Sequence, residues 1–113
     1  MAIYVTTTKA KSMLKKMQSS ELNTWGINKK GEFTHTTSSE QYNKEAWFVP
    51  EIIDSGICFR LITHKDYPLS QGIYSVYHGR FIQMLFHNFN EYFDNIEATA
   101  KPEPDIDDPV IDD

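Results

Sequence analysis

The chain has 113 residues, which is the length of one domain with a modest hydrophobic core. It is 40% hydrophobic and 13% aromatic, as in globular proteins, and no apolar run approaches the ~20 residues of a membrane-spanning helix. Its start lacks the charged and apolar regions of a secretory signal, and its single cysteine, Cys58, excludes an internal disulfide. We therefore expect a cytoplasmic protein that does not span a membrane.

The net charge of −5 is unevenly distributed along the chain. Residues 1–50 carry seven lysines and four glutamates, which gives +3. Residues 51–100 carry three basic and six acidic side chains, which gives −3. Residues 101–113 carry one lysine and six acidic side chains, which gives −5. The net charge therefore belongs to the C-terminal segment, and the rest of the chain is neutral but polarised.

The first third of the chain predicts a helix and a hairpin, preceded by a β-prone segment. Ala2–Val5 is β-prone. From Lys9 to Ser19, apolar residues recur at helical spacing between lysines, which predicts an amphipathic surface helix. Two alternating runs then flank a short turn at residues 29–31 that contains glycine, and this pattern is typical of a β-hairpin.

Three more strands are predicted in the middle of the chain. Ala46–Ile52 is rich in aromatic and β-branched residues. Ile57–Thr63 is apolar on both of its faces, which indicates a central strand. Ile73–His78 is predicted as the last strand, and Gly79 would let the chain turn into a long helix.

The stretch from Phe81 to Ile96 predicts that second helix, because its apolar side chains recur at helical spacing on one stripe. Short connections between strands favour an antiparallel sheet. We therefore predict an α+β fold with an N-terminal amphipathic helix, a mainly antiparallel sheet of four to five strands, and a long C-terminal helix on one sheet face. We assign it to a single domain, 1–100, followed by an acidic, proline-containing flexible tail, 101–113.

No catalytic constellation is visible in the sequence. The four histidines match no zinc spacing, and no phosphate-binding loop or nucleophile motif occurs. Cys58 lies among apolar residues in a predicted strand, where a thiol is usually buried and inert. We therefore expect no metal site and no cofactor, and the sequence favours a non-enzymatic protein over an enzyme.

Our first functional hypothesis is a small protein–protein interaction module, such as an adaptor, an inhibitor or an immunity-type protein. The aromatic stripe of the second predicted helix is wider than one sheet face covers, and exposed aromatic surface is typical of a docking site for another protein or a second copy. The side chains of this stripe are Phe81, Phe86, Phe89, Tyr92 and Phe93.

The second hypothesis is a domain that binds a small ligand or anion, or acts on it, in a cleft near His78, Gly79 and Arg80. These residues lie at the predicted start of the long helix. The free N–H groups of a helix N-terminus and an arginine side chain both suit a phosphate or a carboxylate.

The third hypothesis is weak nucleic-acid binding through the lysines of the first helix and the hairpin turn. Trp25 and Phe33 could supply stacking. The neutral body and the presence of only two arginines disfavour this function, because nucleic-acid-binding modules usually have a clear basic excess. Alternatively, the acidic tail folds back over the same residues, which are Lys9, Lys11, Lys15, Lys16, Lys29 and Lys30.

Overall fold

The computed structural model describes residues 2–22, 24–36, 43–44, 46–64, 70–99 and 110–111. Its elements, in chain order, are β1 (Ala2–Thr6), α1 (Ala10–Ser19), β2 (Trp25–Ile27), β3 (Phe33–His35), β4 (Ala46–Ile53), β5 (Gly56–His64), α2 (Gln71–Phe89), β6 (Asn95–Ala98) and β7 (Val110–Ile111).

Six of the strands lie in the order β2-β3-β4-β5-β1-β6, and each neighbouring pair is antiparallel. β7 pairs in parallel with the end of β5, at Thr63 and His64. The predicted α+β architecture with a mainly antiparallel sheet is confirmed, but among the described residues the sheet has seven strands rather than four or five. Of the predicted tail, 101–113, only β7 lies within the described residues.

The second helix begins earlier than the sequence predicts. It starts at Gln71, so Ile73–His78, predicted as a strand, is helical, and Gly79 lies in the helix interior. The helix start is stabilised by Ser70, whose side-chain oxygen accepts a hydrogen bond from the backbone N–H of Ile73 at 3.1 Å. In the described part of the chain, neither helix is long and apolar enough to cross a membrane.

The same helix also ends earlier than predicted, at Phe89. The backbone N–H of Asp94 donates to the carbonyl of Thr6 at 2.8 Å, which brings the chain alongside β1. Ile96, predicted on the helix stripe, therefore lies in β6 opposite Val5 of β1. It still packs against the core, as its apolar side chain requires, but it does so from a strand.

Both helices pack on one face of the sheet, around Phe81 in the middle of α2. The Phe81 ring stacks on Phe48 of β4 with centroids 4.3 Å apart, and it meets Trp25 at 4.9 Å and Phe59 at 5.0 Å. The other large, fully buried side chains of this core are Ile3, Val5, Met13, Met17, Phe33, Ile57, Leu61, Tyr77 and Leu85.

The predicted hairpin is confirmed as β2 and β3. Its turn is organised by Asn28, whose side-chain oxygen accepts hydrogen bonds from the backbone N–H groups of Lys30 at 3.0 Å and Glu32 at 2.9 Å. Gly31 has a φ of 78°, a conformation that favours glycine. The register pairs Trp25 with His35. Both side chains point to the helix-covered side of the sheet, where they contribute to the candidate site.

Candidate functional site

A cleft of about 420 Å³ opens between α2 and the segment that leads into the hairpin. Five of its nine lining residues belong to α2 and four to the segment and hairpin. They are Leu22, Thr24, Trp25, His35, Arg80, Gln83, Met84, His87 and Asn88.

The helical repeat explains why α2 lines this cleft. Residues three and four apart lie on the same side of a helix, and Arg80, Gln83 and His87 are spaced in that way. The neighbouring side of the helix carries Phe81 and Leu85, which are buried against the sheet. One side of this amphipathic helix therefore packs on the sheet, and the neighbouring side presents polar groups to the cleft.

His35 forms part of the cleft floor and orients Arg80. Its side chain is only 2% exposed, and its ring lies edge-on to Trp25 with centroids 5.2 Å apart. The Nη1 atom of Arg80 lies 3.3 Å from Nε2 of His35. A guanidinium group only donates hydrogen bonds, so Nε2 of His35 is the acceptor and the ring proton is on Nδ1. Arg80 is thus attached at one nitrogen, which leaves its other donors for the cleft.

The cleft is locally positive in a protein of net charge −5. None of the nine lining residues that the structure describes is acidic, whereas Arg80 is permanently charged. Neutral donors accompany it, including the side-chain amides of Gln83 and Asn88; the latter donates to the carbonyl of Met84 at 3.2 Å. An arginine with nearby amides and a hydroxyl suits the oxygens of a phosphate or a carboxylate.

Of the three residues predicted to bind an anion, only Arg80 lines the cleft. The expected helix N-terminus is not at this point, because α2 begins at Gln71 and the N–H groups of residues 78–80 lie in its interior. Gly79 is exposed, and a Cβ atom added there would meet nothing within 4 Å. Gly79 is therefore not needed for a bend, which was the reason to expect a glycine at this point.

His78 is buried on the core side of α2, with 5% of its surface exposed. Its Nδ1 donates to the carbonyl of Tyr74 at 3.1 Å, and its Nε2 has no hydrogen-bond partner among the described residues. Burial lowers the pKa of His78 from 6.5 to about 4. The imidazole is therefore neutral at physiological pH and contributes no positive charge to an anion site.

The predicted aromatic surface is mostly core. Phe81 and Phe89 are buried, and Tyr92 and Phe93 are half-buried. Phe86 is 53% exposed, and its ring lies 5.5 Å from that of Phe93. A protein-interaction role for these five side chains stays a prediction, and its available surface is smaller than the stripe suggested.

The lysines of the third hypothesis are all exposed, four at the start or within α1 and two in the hairpin turn. The aromatic residues expected to accompany them are not available for stacking, because Trp25 and Phe33 are buried in the core. Nucleic-acid binding through this surface stays a prediction, but the stacking of bases on these two aromatic rings is no longer part of it.

Sequence reasoning missed most of the cleft. His35 was considered only as a possible metal ligand, and among the described residues no three histidine, cysteine or acidic side chains converge. The usable signal was the spacing of Arg80, Gln83 and His87, but it emerges only when the helix is extended back before residue 81.

Comparison of the chain with protein-family models, with curated proteins and with solved structures finds no match.

Proposed function

We infer that the protein binds a small anionic ligand, one that carries a phosphate or carboxylate group, in the cleft beside α2. The observation that carries this proposal is the position of Arg80, attached to His35 at one nitrogen and open to the cleft at the others. Such an arrangement reduces the side-chain entropy that an arginine loses when a ligand binds.

The charge of the cleft supports an anion rather than a cation. In the part of the chain that the structure describes, no acidic side chain pairs with Arg80, and none lines the cleft. Hydrogen bonds from a guanidinium group to an anionic oxygen are roughly twice as strong as neutral ones. An anionic ligand therefore supplies the counter-charge that none of the described residues places there.

The size and floor of the cleft support a ligand with an apolar part. Its volume of about 420 Å³ is larger than an inorganic anion needs and lies within the range of small-molecule sites. Trp25, Met84 and Leu22 supply apolar surface below the polar rim. An organic phosphate or carboxylate with a compact hydrophobic body matches both features.

The lining residues favour binding over catalysis. Among the nine lining residues that the structure describes, none is a cysteine, serine or carboxylate that could act as a nucleophile or a general acid, and one hydroxyl is present, that of the exposed Thr24. His35 already accepts a hydrogen bond from Arg80. We therefore propose a binding domain, which needs only the donors that the cleft contains.

The test uses titration calorimetry of the full chain with inorganic phosphate, phenyl phosphate and benzoate as probes. We expect at least one organic anion to bind more tightly than inorganic phosphate, because it also buries apolar surface. Arg80→Gln should weaken that binding by about tenfold or more, in line with the loss of a charged hydrogen bond.

Arg60→Gln is the matched control, because it removes the only other arginine of the chain. Arg60 alternates with the buried Phe59 and Leu61 in β5, so it lies on the sheet face away from both helices. This variant should bind the probe like the wild type. Equal affinity of the Arg80→Gln protein and the wild type, or no saturable binding of any probe, would contradict the proposal.

A further inference from the structure

The sheet has a free edge at β6. The strand order places β6 at one end of the sheet, and within the described part of the chain its only partner is β1. The side chains of Asn95, Glu97 and Ala98 on this strand are exposed. The free edge of a strand is a template on which another extended chain can pair.

The hydrogen-bond pattern identifies the backbone groups that the edge offers. In an antiparallel ladder, successive residues direct their N–H and C=O groups alternately to one side and the other. The N–H of Thr99 donates to the carbonyl of Ala2 at 3.0 Å, so Glu97, two residues earlier, also directs its backbone groups to β1. Ile96 and Ala98 therefore direct their N–H and C=O groups to the free edge.

An apolar strip follows this edge on the helix-covered side of the sheet. Ile96 pairs with the buried Val5, so its half-buried side chain points to that side. Phe93 precedes β6, and its ring lies 5.5 Å from that of Phe86 in α2, which is 53% exposed. Ile82, one helical turn before Phe86, is half-buried. We call Ile82, Phe86, Phe93 and Ile96 the edge strip.

The edge strip and the anion cleft lie on opposite flanks of α2. Successive helical residues are rotated by about 100°. Ile82 and Phe86 therefore fall on one side of the buried Phe81, whereas Arg80 and Gln83 fall on the other. Binding at the edge strip thus needs no ligand in the cleft.

The charge beside the edge is negative. The exposed acidic residues there are Glu91, Asp94 and Glu97, and residues 86–99 contain no lysine or arginine. The negative end of the α2 dipole lies at the same place, since the helix ends at Phe89. Neighbouring elements carry Lys9 and Arg60, but within the described ranges neither forms an ion pair with these carboxylates. The edge therefore favours a partner that brings positive charge.

We propose that the free edge of β6 pairs with an extended segment of a partner protein in which apolar and basic residues alternate. Successive side chains of a strand point to opposite faces. A strand that bonds to Ile96 and Ala98 therefore places every second side chain against the edge strip and the intervening ones beside Glu97. The first set is apolar because it covers Phe86, and the second is basic because it lies beside a carboxylate.

The β6 edge of a second copy of this chain fits less well. When two β6 strands pair antiparallel, Ile96 of one bonds to Ala98 of the other, and this register places Glu97 opposite Glu97 of the second copy. Like charges directly opposite each other destabilise a strand pair. Glu97 therefore disfavours self-pairing at this edge while it favours a basic segment.

The first measurement is fluorescence anisotropy of a labelled, capped peptide of about seven alternating lysine and valine residues, which is long enough to span β6. The matched peptide has glutamate in place of lysine. At about 50 mM salt we expect the full chain to bind the lysine peptide saturably and the glutamate peptide about tenfold or more weakly, because like charges repel. No saturable binding of the lysine peptide, or equal affinity for the two peptides, would overturn the proposal.

The second measurement reverses the charge of the edge. Glu97→Lys should weaken binding of the lysine peptide by about tenfold and strengthen binding of the glutamate peptide. Glu51→Lys is the matched control, because it makes the same change of net charge at an exposed position of β4, inside the sheet. Phe86→Ala should weaken binding of the lysine peptide by about threefold or more, since less apolar surface is buried. An unchanged preference in Glu97→Lys, or the same reversal in Glu51→Lys, would contradict pairing at this edge.

The third measurement is hydrogen exchange of individual backbone amides by NMR. Without peptide, the N–H groups of Ile96 and Ala98 should exchange quickly and that of Glu97 slowly. Saturation with the lysine peptide should slow Ile96 and Ala98 by about tenfold or more, because their N–H groups become hydrogen-bonded. Bound peptide with no slowing at these two residues would place it elsewhere. Slowing of the same residues in a peptide-free dimer, seen by sedimentation velocity, would assign the edge to a second copy; either result rejects the proposal.

Discussion

Arg80 Nη1 and His35 Nε2 lie 3.3 Å apart and connect the middle of α2 to the second strand of the hairpin. The two residues are 45 positions apart in the chain, so only the folded protein brings them together. This contact defines the cleft on both sides: His35 forms its floor, and Arg80 gives it its charge.

The first prediction concerns this contact. His35→Phe keeps a ring of similar size on the cleft floor but removes the acceptor of Arg80. We expect the affinity for the anionic probe to fall by about three- to tenfold, the range of one hydrogen bond. In the Arg80→Gln background, His35→Phe should cause almost no further loss of affinity, because the effect of the histidine acts through the arginine. Additive losses in titration calorimetry would show that His35 contacts the ligand independently of Arg80.

The second prediction concerns two adjacent residues of α2 that face different environments. Leu85 is fully buried, whereas the neighbouring Phe86 is 53% exposed. Leu85→Ala should lower the free energy of unfolding by about 2–5 kcal/mol, because it leaves a cavity in the core. Phe86→Ala should change it by less than about 1 kcal/mol. Urea denaturation of both variants measures these values, and similar losses for the two would contradict the assignment of the buried side of α2.

The local elements of the fold were predictable because their signals are local. The alternation around residues 29–31 and the lysine-flanked stripe of α1 identify the hairpin and the first helix without any knowledge of the rest of the chain. The start of α2 was not predictable in this way, since Ile73–His78 is rich in aromatic and β-branched residues that favour strands. Tertiary packing decides there, because Tyr74, Tyr77 and His78 are buried only as parts of a helix.

The predicted C-terminal end of α2 was wrong for the opposite reason. Ile96 continues the helical spacing of Leu85 and Phe89, yet it reaches the core from β6. The edge of β1 has backbone N–H and C=O groups that need partners, and this segment supplies them by pairing as β6. A side-chain pattern carries no information about such backbone pairing. The cleft was missed for two other reasons: the spacing of its α2 residues emerges only when the helix is extended back before residue 81, and His35 joins it through the register of β2 and β3.

The third prediction concerns pH. His78 packs against the rings of Tyr74 and Phe48, with centroids 4.0 Å and 5.3 Å away, and its pKa is lowered to about 4 by burial. In the unfolded chain the pKa of a histidine is about 6.5. As the pH falls from about 6.5 to 4, the unfolded state binds the proton first, so the folded state loses up to about 3 kcal/mol of stability.

His78→Leu should remove this contribution and flatten the dependence of stability on pH in that window. At neutral pH it should cost about 1 kcal/mol, because it removes the buried hydrogen bond from Nδ1 to the carbonyl of Tyr74, whereas Nε2 makes none with a described residue. His87→Leu is the control, since His87 is an exposed histidine on the same helix. Urea denaturation at several pH values measures the slope, and an unaltered slope in His78→Leu would assign the acid sensitivity to other groups.

The last prediction concerns two glycines with opposite requirements. Gly79 lies in the interior of α2, is exposed, and has open space where a Cβ would be placed. Gly79→Ala should therefore raise the free energy of unfolding by about 0.5–1 kcal/mol, since alanine loses less backbone entropy in a helix. Gly56→Ala should destabilise strongly, because Gly56 has a φ of 152° and its added Cβ would lie 1.9 Å from the carbonyl oxygen of Val5. Thermal melts of both variants test this contrast. A Gly79→Ala protein that is less stable than the wild type would show that residue 79 is not in a regular helix, as the sequence-based prediction of a turn required.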